Sequence, residues 1–285
     1  MLVEATRLIR KMRGGAQAHL LECDDGHFYV VKFLNNPQHR RILINEWIAS
    51  AFLNYLQIST PAAAIVNLST AFLAGNPEIY IQLGSRHQTV EPGWHFGSRY
   101  PGDPGKVMVY DFLPDALLDK VVNAGEFLGV LAFDKWMGNA DARQSIFFRA
   151  RLRQWPAESA AAPRAGFVSQ APRAGFVSQM MDHGYVFDGP HWNFPDSPLQ
   201  GLYFRPNVYQ KVRGWDDFQP WLDRVIYFPE EVVDEAEKQI PPEWLAEDGG
   251  ALQAMLEKLM SRRRRVPDLI RDSRRGRVNP FPEWK

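Results

Sequence analysis

Residues 19–33, HLLECDDGHFYVVKF, constrain the fold most strongly, because they contain two apolar runs joined by Asp-Asp-Gly. An Asp-Gly pair accepts the positive φ that a tight turn requires, so this segment predicts a β-hairpin. Lys32 ends the second strand of that hairpin, and Gly14 and Gly15 precede the first strand at the position of a connecting loop. The N-terminal region should therefore be rich in strands, with a glycine loop beside the hairpin.

A helix is predicted directly after the hairpin. Residues 40–56, RRILINEWIASAFLNYL, carry apolar side chains at helical spacing, and Asn36-Pro37 offers a cap and a first-turn proline. Glu46 lies on the apolar face of this helix, so its carboxylate should be partly buried. An unpaired buried carboxylate is costly to desolvate, which makes Lys32 the nearest candidate for its partner.

The pattern changes from strand-like to helical along the chain. The runs PAAAIVNL, EIYIQL and KVMVYDFL, separated by the Gly/Pro-rich EPGWHFGSRYPGDPG, should complete a small and mostly β region. Later runs such as VNAGEFLGVLAFDKWM, PEEVVDEAEKQI and GALQAMLEKLMSRRRRVPDLIRDS favour helices. A chain of 285 residues with 45% hydrophobic content can bury one or two cores. We expect an α+β protein with a β-rich N-terminal lobe of about residues 1–112 and a mostly helical C-terminal lobe of about residues 113–285.

Nine residues, APRAGFVSQ, occur twice in succession, at positions 162–170 and 171–179. Two short copies are too few for a solenoid, which favours a duplication in a surface loop that tolerates extra chain. The second copy leads directly to Asp182. Because a strand that positions Asp182 must end close to it, we expect residues 175–181 to form that strand and residues 163–170 to lie in an exposed loop.

Composition excludes several classes of function. Lys plus Arg and Asp plus Glu each number 33, so no bulk charge indicates nucleic acid or an anionic membrane. Acidic residues interleave with the arginine-rich segment of residues 261–285, which favours a solvated helix face over a nucleic-acid clamp. The single cysteine, Cys23, argues against a disulfide framework. No apolar run approaches the ~20 residues that span a bilayer, so we expect a cytoplasmic protein without a membrane span.

Polar residues that suit phosphoryl transfer follow one another in the order seen in kinases. After the glycine loop come Lys32 on a strand, Glu46 on a helix, Asp141 in a loop after a helix, and Asp182 between a strand and Gly184. Phosphoryl transfer needs backbone donors over the phosphates, a lysine on their charge, a glutamate holding that lysine, a base-like aspartate and metal ligands. Each residue alone is more often a surface charge, so the joint order carries the kinase interpretation.

Other catalytic chemistry has little support in the sequence. HExxH, GxSxG and the Walker-type GxxxxGK[ST] do not occur, and the histidines are scattered without ligand spacing. His183 beside Asp182 is a conceivable base, but we expect its side chain to pack inward.

The stretches GGAQAHLLE, VVKF, NEWIASAFL, FDKWMGNADAR and MDHG together resemble the HipA-like kinases, a bacterial branch of the kinase fold. The resemblance spans about residues 8–260. It implies a single domain with a protein-kinase-like, two-lobed fold that binds ATP and Mg²⁺. It also implies that the ATP phosphates lie under the glycine loop, with contacts to Gly14, Gly15, Ala16 and Gln17.

The resemblance implies a role for each residue of the polar series. Lys32 would lie on the phosphates, and Glu46 would hold Lys32. Asp141 matches the catalytic aspartate of the family's GNxDxH motif, and Asp182 matches its metal-binding aspartate. We therefore expect Lys32 and Glu46 to form an ion pair and the two aspartates to face one cleft. Without a metal, repulsion between these carboxylates should raise the pKa of at least one of them.

Departures from the family pattern leave some functions open. The family's D-x-H-x-x-N ends in an asparagine that binds Mg²⁺, whereas no asparagine follows Asp141 here, so Gln144 or Ser145 could supply the oxygen. Met12 occupies the position of the family's regulatory serine. The N-terminal subdomain by which the longer toxins meet their antitoxin is expected to be missing, so an antitoxin-like partner stays open.

Two classes of function remain. The first is an ATP-dependent kinase whose acceptor is a Ser or Thr hydroxyl on a protein, with a lipid or a small-molecule hydroxyl as alternatives. The second is a pseudokinase that binds nucleotide or a partner without turnover. The missing asparagine is the feature that distinguishes these two classes. The presence of Lys32, Glu46, Asp141 and Asp182 favours catalysis.

Overall fold

A computed structural model describes residues 1–150, 175–276 and 278–285 of the chain. Helices and strands are both present, as expected for an α+β protein. The first copy of the nine-residue duplication lies outside the described residues, so the exposed loop at residues 163–170 stays a prediction.

Strands are concentrated in the first part of the chain and helices in the last. The strands run over Leu2–Lys11 (β1), His19–Cys23 (β2), Phe28–Lys32 (β3), Ala63–Leu68 (β4), Tyr80–Leu83 (β5), Arg86–Thr89 (β6), Gly93–Arg99 (β7), Val109–Tyr110 (β8), Gln144–Ala150 (β9) and Gly175–Met181 (β10). The α-helices run over Arg41–Tyr55 (α1), Thr70–Gly75 (α2), Asp115–Leu118 (α3), Glu126–Met137 (α4), Trp221–Ile226 (α5), Glu230–Lys238 (α6), Pro242–Leu245 (α7), Gly249–Arg262 (α8) and Val266–Asp272 (α9).

The N-terminal strands close into a barrel in the order β1-β2-β3-β7-β4. β1 and β4 are parallel, and the other neighbours are antiparallel. The hairpin predicted for residues 19–33 joins β2 to β3 through a turn in which Gly26 has a φ of +76°. Successive side chains of a strand point to opposite faces, so Leu21 and Val31 fill the barrel while Lys32 faces outward toward α1.

β7 corrects the expectation that EPGWHFGSRYPGDPG only separates strands. Residues Gly93–Arg99 of this stretch form a strand between β3 and β4. A Cβ atom at Gly97 would lie 2.5 Å from Val66 Cγ2, so only glycine lets the two strands approach at this point. The glycines here serve close packing inside the barrel as well as turns.

The predicted helix α1 forms, but it begins later than its expected cap. Asn36 does not cap it; the Asn36 side chain accepts a hydrogen bond from the backbone N–H of Gln38 at 2.8 Å and closes a local turn. α1 then begins at Arg41. The predicted cap at Asn36-Pro37 is therefore wrong.

A second sheet, in the order β10-β9-β8, lies apart from the barrel. β10 is the strand expected for residues 175–181, and Met181 pairs with Gln144 of β9, which confirms that prediction. β8, expected to complete the N-terminal β region, pairs with β9 instead. Asp141 lies in the loop before β9, and Asp182 directly follows β10. Because β9 and β10 are antiparallel, the start of β9 and the end of β10 lie at the same end of the sheet, which brings the two loops together.

α1 packs with the later helices in one large apolar core. The rings of Phe52 and Trp136 stack with centroids 5.5 Å apart, which joins α1 to α4. Trp47 packs edge-on against Trp244 of α7 at 6.0 Å. In the described part of the chain, every helix is too short or too polar to cross a bilayer.

The arginine-rich segment makes more contacts with the rest of the protein than expected. Arg262 is buried and donates to the backbone carbonyls of Lys135 and Trp136 and to Asp196. Arg265 also pairs with Asp196 at 2.7 Å. The prediction of a solvated helix face is therefore wrong for Arg262. Its guanidinium connects the end of α8 to α4 through hydrogen bonds.

Candidate active site

Lys32 binds two carboxylates that come from distant parts of the chain. Its ammonium forms an ion pair with Glu46, which α1 presents to the outer face of β3, and this confirms the predicted pair. The same nitrogen lies 2.7 Å from Asp182 Oδ1, just after β10. Lys32 and Glu46 are buried, whereas the Asp182 side chain retains 34% exposure. The three residues therefore form a charged cluster with one open side, at Asp182.

The charges in this cluster shift one another's pKa. Burial opposes the charge on Lys32, but Asp182 and Glu46 outweigh it and raise the pKa of the ammonium. Burial raises the pKa of Glu46, and Lys32 opposes that shift. The Lys32 charge lowers the pKa of Asp182. The prediction that repulsion raises a pKa is thus wrong for Asp182, because the Lys32 charge is the largest influence on that carboxyl.

Asp141 lies in the loop that follows α4. α4 ends at Gly138 with a left-handed φ of +60°, and the side chain of Asn139 accepts a hydrogen bond from the backbone N–H of Asp141 at 3.1 Å. Asp141 is exposed, and its Oδ1 accepts a hydrogen bond from the backbone N–H of Ala142 at 2.8 Å. The loop therefore fixes the backbone of Asp141 and leaves its carboxylate open to solvent.

Gln144 connects the two aspartates. Its side-chain amide lies 3.5 Å from Asp141 Oδ2, and it also helps to lower the pKa of Asp182. Both carboxylates therefore lie near Gln144, and the single cleft expected for them stays a prediction. Ser145, the other candidate ligand, points to the opposite face of β9, where its hydroxyl donates to the Gln179 carbonyl at 3.1 Å. Of the two candidates, the fold brings Gln144 and not the Ser145 hydroxyl to the aspartates.

The glycine loop connects β1 to β2. Gly14 has a φ of +118°, which favours glycine. The backbone N–H groups of Gly15 and Ala16 donate to no acceptor among the described residues, so they are available to a ligand. The side chain of Gln17 pairs with both backbone groups of Gln82, at 2.7 Å and 2.8 Å, and the phosphate contact expected for this residue stays a prediction. That amide fastens the loop to β5.

A buried ion pair supports the Asp141 loop, and sequence reasoning missed it. Arg143 stands where the family motif has histidine, and its guanidinium binds Asp134 of α4, with Nε 2.8 Å from Oδ2. Both side chains are fully buried. Asn139 also donates to Asp134, at 3.0 Å. Asp134 and Arg143 each look like a surface charge in the sequence, so no local signal pairs them.

Asn45 holds the segment after Asp182, and it was also missed. This fully buried residue of α1 donates to the backbone carbonyls of Gly184, Val186 and Gly189 at 2.7–3.2 Å. Its neighbour on the helix, Glu46, binds Lys32, so a single turn of α1 positions both sides of the charged cluster. An asparagine inside an apolar helical run is the one sequence signal that could have indicated it.

Comparisons with known proteins point to one family. A family model described as HipA-like kinase matches residues 5–147. No curated protein matches the chain. Among solved structures, a crystal structure of the Golgi casein kinase is similar at 11% identity and a TM-score of 0.48, covering 96% of this chain and 73% of that chain. A crystal structure of the Golgi casein kinase with Mn/ADP bound is similar at 10% identity and a TM-score of 0.43, covering 94% and 72%.

Proposed function

Because the chain belongs to the HipA-like kinase family, we propose that it is an ATP-dependent kinase that phosphorylates a Ser or Thr hydroxyl on a protein. The barrel and the helical region would form the two lobes of a protein-kinase-like fold. One observation carries the proposal: Lys32, Glu46 and Asp182 form a charged cluster, and Gln144 lies near both Asp182 of that cluster and Asp141. These are the charges that phosphoryl transfer requires.

Each charged residue has a chemical role in this proposal. Lys32, held by Glu46, binds the phosphates, and the free N–H groups of Gly15 and Ala16 donate to them from the glycine loop. The acceptor oxygen attacks the γ-phosphorus, and the bond from that phosphorus to the β,γ-bridging oxygen breaks. ADP leaves, and Asp141 accepts the proton of the attacking hydroxyl.

The donors at the site fit Mg²⁺. Asp141, Asp182 and Gln144 offer carboxylate and amide oxygens, the hard ligands that Mg²⁺ takes when phosphates and waters complete its shell. Gln144 now directs its amide nitrogen toward the carboxylates, and rotating the amide by half a turn presents its oxygen. Bound Mg²⁺ would neutralise charge that develops on the phosphates. We therefore assign Asp182 and Gln144 as metal ligands in place of the pair Asp182 and Ser145.

The outer face of the barrel is the proposed binding surface for the nucleotide base. Lys32 lies on that face, so Val30, two residues earlier on β3, lies there too. Leu20 and Ser98 are its register partners on β2 and β7. Val30, which is partly exposed, would contact the adenine ring from this face.

Exposed aromatic residues beside the Asp141 loop favour a protein acceptor over a small molecule. Tyr203 forms a parallel bridge with Arg143, which places the next residue, Phe204, near the Asp141 loop. Phe204 and Phe112 are 57% and 45% exposed, and the Arg205 guanidinium lies 4.3 Å from the Phe112 ring and 5.3 Å from the Phe204 ring. Aromatic and arginine side chains are enriched at interfaces between proteins.

A phosphate-transfer assay tests the proposal. The purified protein is incubated with Mg²⁺ and γ-labelled ATP, and label is read on the protein itself and on proteins of a cell lysate. Asp141→Asn should abolish labelling, whereas Asp234→Asn, on the exposed side of α6, should leave it unchanged. Nucleotide binding without any transfer by the wild type would favour the pseudokinase alternative.

A further inference from the structure

His183 is buried at the centre of the candidate site without touching its open side. It is 2% exposed and follows Asp182, whose φ of +58° is unusual for a residue other than glycine. Its Nδ1 lies 2.9 Å from Arg143 Nη1, and its Nε2 lies 3.2 Å from Thr60 Oγ1. Both ring nitrogens therefore have polar partners, and those partners come from two separate loops.

The partners determine which nitrogen carries the proton. A guanidinium can only donate, so Arg143 donates to Nδ1 and the imidazole must be neutral with its proton on Nε2. Nε2–H then donates to Thr60 Oγ1. The Thr60 hydroxyl in turn donates to the Met180 carbonyl at 2.9 Å. The result is one directed chain of hydrogen bonds, Arg143 to His183 to Thr60 to Met180, which we call the His183 chain.

The His183 chain holds the backbone on both sides of Asp182. Besides His183, Arg143 Nη1 donates to the Met181 carbonyl at 3.0 Å, so the carbonyls of Met180 and Met181 are both bound. Arg143 lies two residues after Asp141, and Asp134 anchors it. The chain therefore joins the Asp141 loop to the turn at Asp182.

The other end of the His183 chain lies at Thr60, in the segment that connects α1 to β4. Thr60 lies five residues after the end of α1, and α1 holds Lys32 through Glu46. The His183 chain thus contacts the Asp141 loop, the turn at Asp182 and the segment that follows α1, whereas Lys32 of β3 lies outside it. None of its members points into the open side, so none can act on the substrate directly.

We propose that His183 is a positioning residue, whose fixed tautomer holds Asp182 in its left-handed conformation and at a set distance from Asp141. The inference rests on the proposed function, since it assigns Asp182 the role of metal ligand. A left-handed residue other than glycine persists only when its surroundings hold it, and the His183 chain supplies that restraint. Loss of the chain should move Asp182 and weaken the response to Mg²⁺, while leaving the Lys32–Glu46 pair and the glycine loop intact.

The first measurement is independent of activity. In the protein labelled with ¹⁵N at histidine, the ring shifts of His183, assigned by their loss in His183→Gln, should show an unprotonated Nδ1 and a protonated Nε2. A protonated Nδ1 or a doubly protonated ring in the wild type overturns the proposal, whatever the protein's activity.

The second measurement uses a matched pair of variants. Thr60→Val removes the hydroxyl at nearly constant volume, whereas Thr60→Ser keeps it. We expect Thr60→Val to raise the Mg²⁺ concentration for half-maximal turnover at least fivefold, with metal-free nucleotide affinity changed less than twofold, and Thr60→Ser to match the wild type. A merely structural threonine would lower the melting temperature without changing the Mg²⁺ requirement, and that result would overturn the proposal.

Failure of the proposed function gives a different result. A wild type that binds Mg²⁺-nucleotide without turnover contradicts the kinase, and the same variants are then compared by the Mg²⁺ concentration for half-maximal nucleotide binding. A wild type that binds no nucleotide contradicts both the kinase and the positioning role, even with the expected tautomer.

Discussion

The Lys32 ammonium lies 2.7 Å from Asp182 Oδ1, although 150 residues separate them in the chain. With Glu46 on its other side, Lys32 is the cation that makes burial of the cluster tolerable. Removing one member of a buried ion pair leaves its partner uncompensated, at a cost of about 3 kcal/mol or more. The cluster is therefore part of the stability of the fold as well as a candidate site.

The first prediction concerns that coupling. Lys32→Met should lower the free energy of unfolding in urea by about 3 kcal/mol, because Glu46 stays buried without a cation. Glu46→Gln in the same chain should recover part of that loss. Lys238→Met, an exposed lysine on α6, serves as the control. Additive losses in the double variant would show that the two residues are not coupled.

Gln144 and Ser145 give a second prediction. Gln144→Ala should raise the Mg²⁺ concentration for half-maximal turnover about tenfold, because it removes one oxygen ligand; a tenfold change corresponds to about 1.4 kcal/mol. Its effect on metal-free nucleotide affinity should be small. Ser145→Ala should leave the Mg²⁺ requirement unchanged, because its hydroxyl bonds the Gln179 carbonyl. If a Mg²⁺ titration showed a larger increase for Ser145→Ala than for Gln144→Ala, Ser145 and not Gln144 would be the metal ligand.

The exposed aromatic pair predicts an effect on the acceptor alone. Phe204→Ala should raise the KM for a protein acceptor about tenfold, because it removes apolar contact area worth about 1–2 kcal/mol. The KM for ATP should not change, since Phe204 lies outside the Lys32 cluster. Tyr227→Ala, at a residue 77% exposed elsewhere, is the matched control. Equal changes in both KM values would place Phe204 in the nucleotide site instead.

Glu126 predicts a pH dependence of stability. Burial raises its pKa from 4.5 to about 7, although the Ser59 backbone and Asn123 donate hydrogen bonds to it. Between those pH values the folded protein keeps a proton that the unfolded chain releases, so this group's contribution to stability falls as pH rises.

Glu126→Gln should remove that dependence. Between pH 5 and pH 8 the variant should lose about 2 kcal/mol less unfolding free energy than the wild type, from the size of the shift. Urea unfolding at the two pH values measures the difference, and Glu231→Gln on the exposed side of α6 is the control. Identical pH slopes for the wild type and Glu126→Gln would contradict the raised pKa.

The duplication gives the last prediction. Deleting residues 162–170 removes one copy of the repeat and preserves the whole of β10, Gly175–Met181, with its connection to Asp182. We expect the melting temperature and the ATP turnover of this deletion variant to stay close to those of the wild type. An insoluble or inactive variant would show that the first copy contributes to the core.

The predictable parts of the structure were those encoded locally. Lys32 at a strand end, Glu46 on the buried face of a helix and the strand before Asp182 follow from spacing within about fifteen residues. β7 was not predicted because its glycines are typical of a loop. In the structure, Gly97 is needed because a larger residue would clash with the Val66 side chain. A local pattern cannot distinguish a glycine for packing from a glycine for turning.

The contacts that assemble the site could not be predicted, because they join distant segments. Thr60 and His183 are separated by 123 residues, and Gln17 and Gln82 by 65. Each of these polar residues has many possible partners in the sequence, and only the folded backbone selects one. Arg143 was a departure from the family motif in the sequence, and burial against Asp134 gives it a structural reason.

The closed barrel limits how other proteins can reach the N-terminal region. Parallel pairing of β1 with β4 completes the ring, so each barrel strand has a neighbour on both sides. A partner cannot extend this ring by adding a strand to it, which is how many peptides bind open sheets. Recognition of the barrel must therefore depend on side chains and loops, and its backbone is protected from edge-to-edge aggregation.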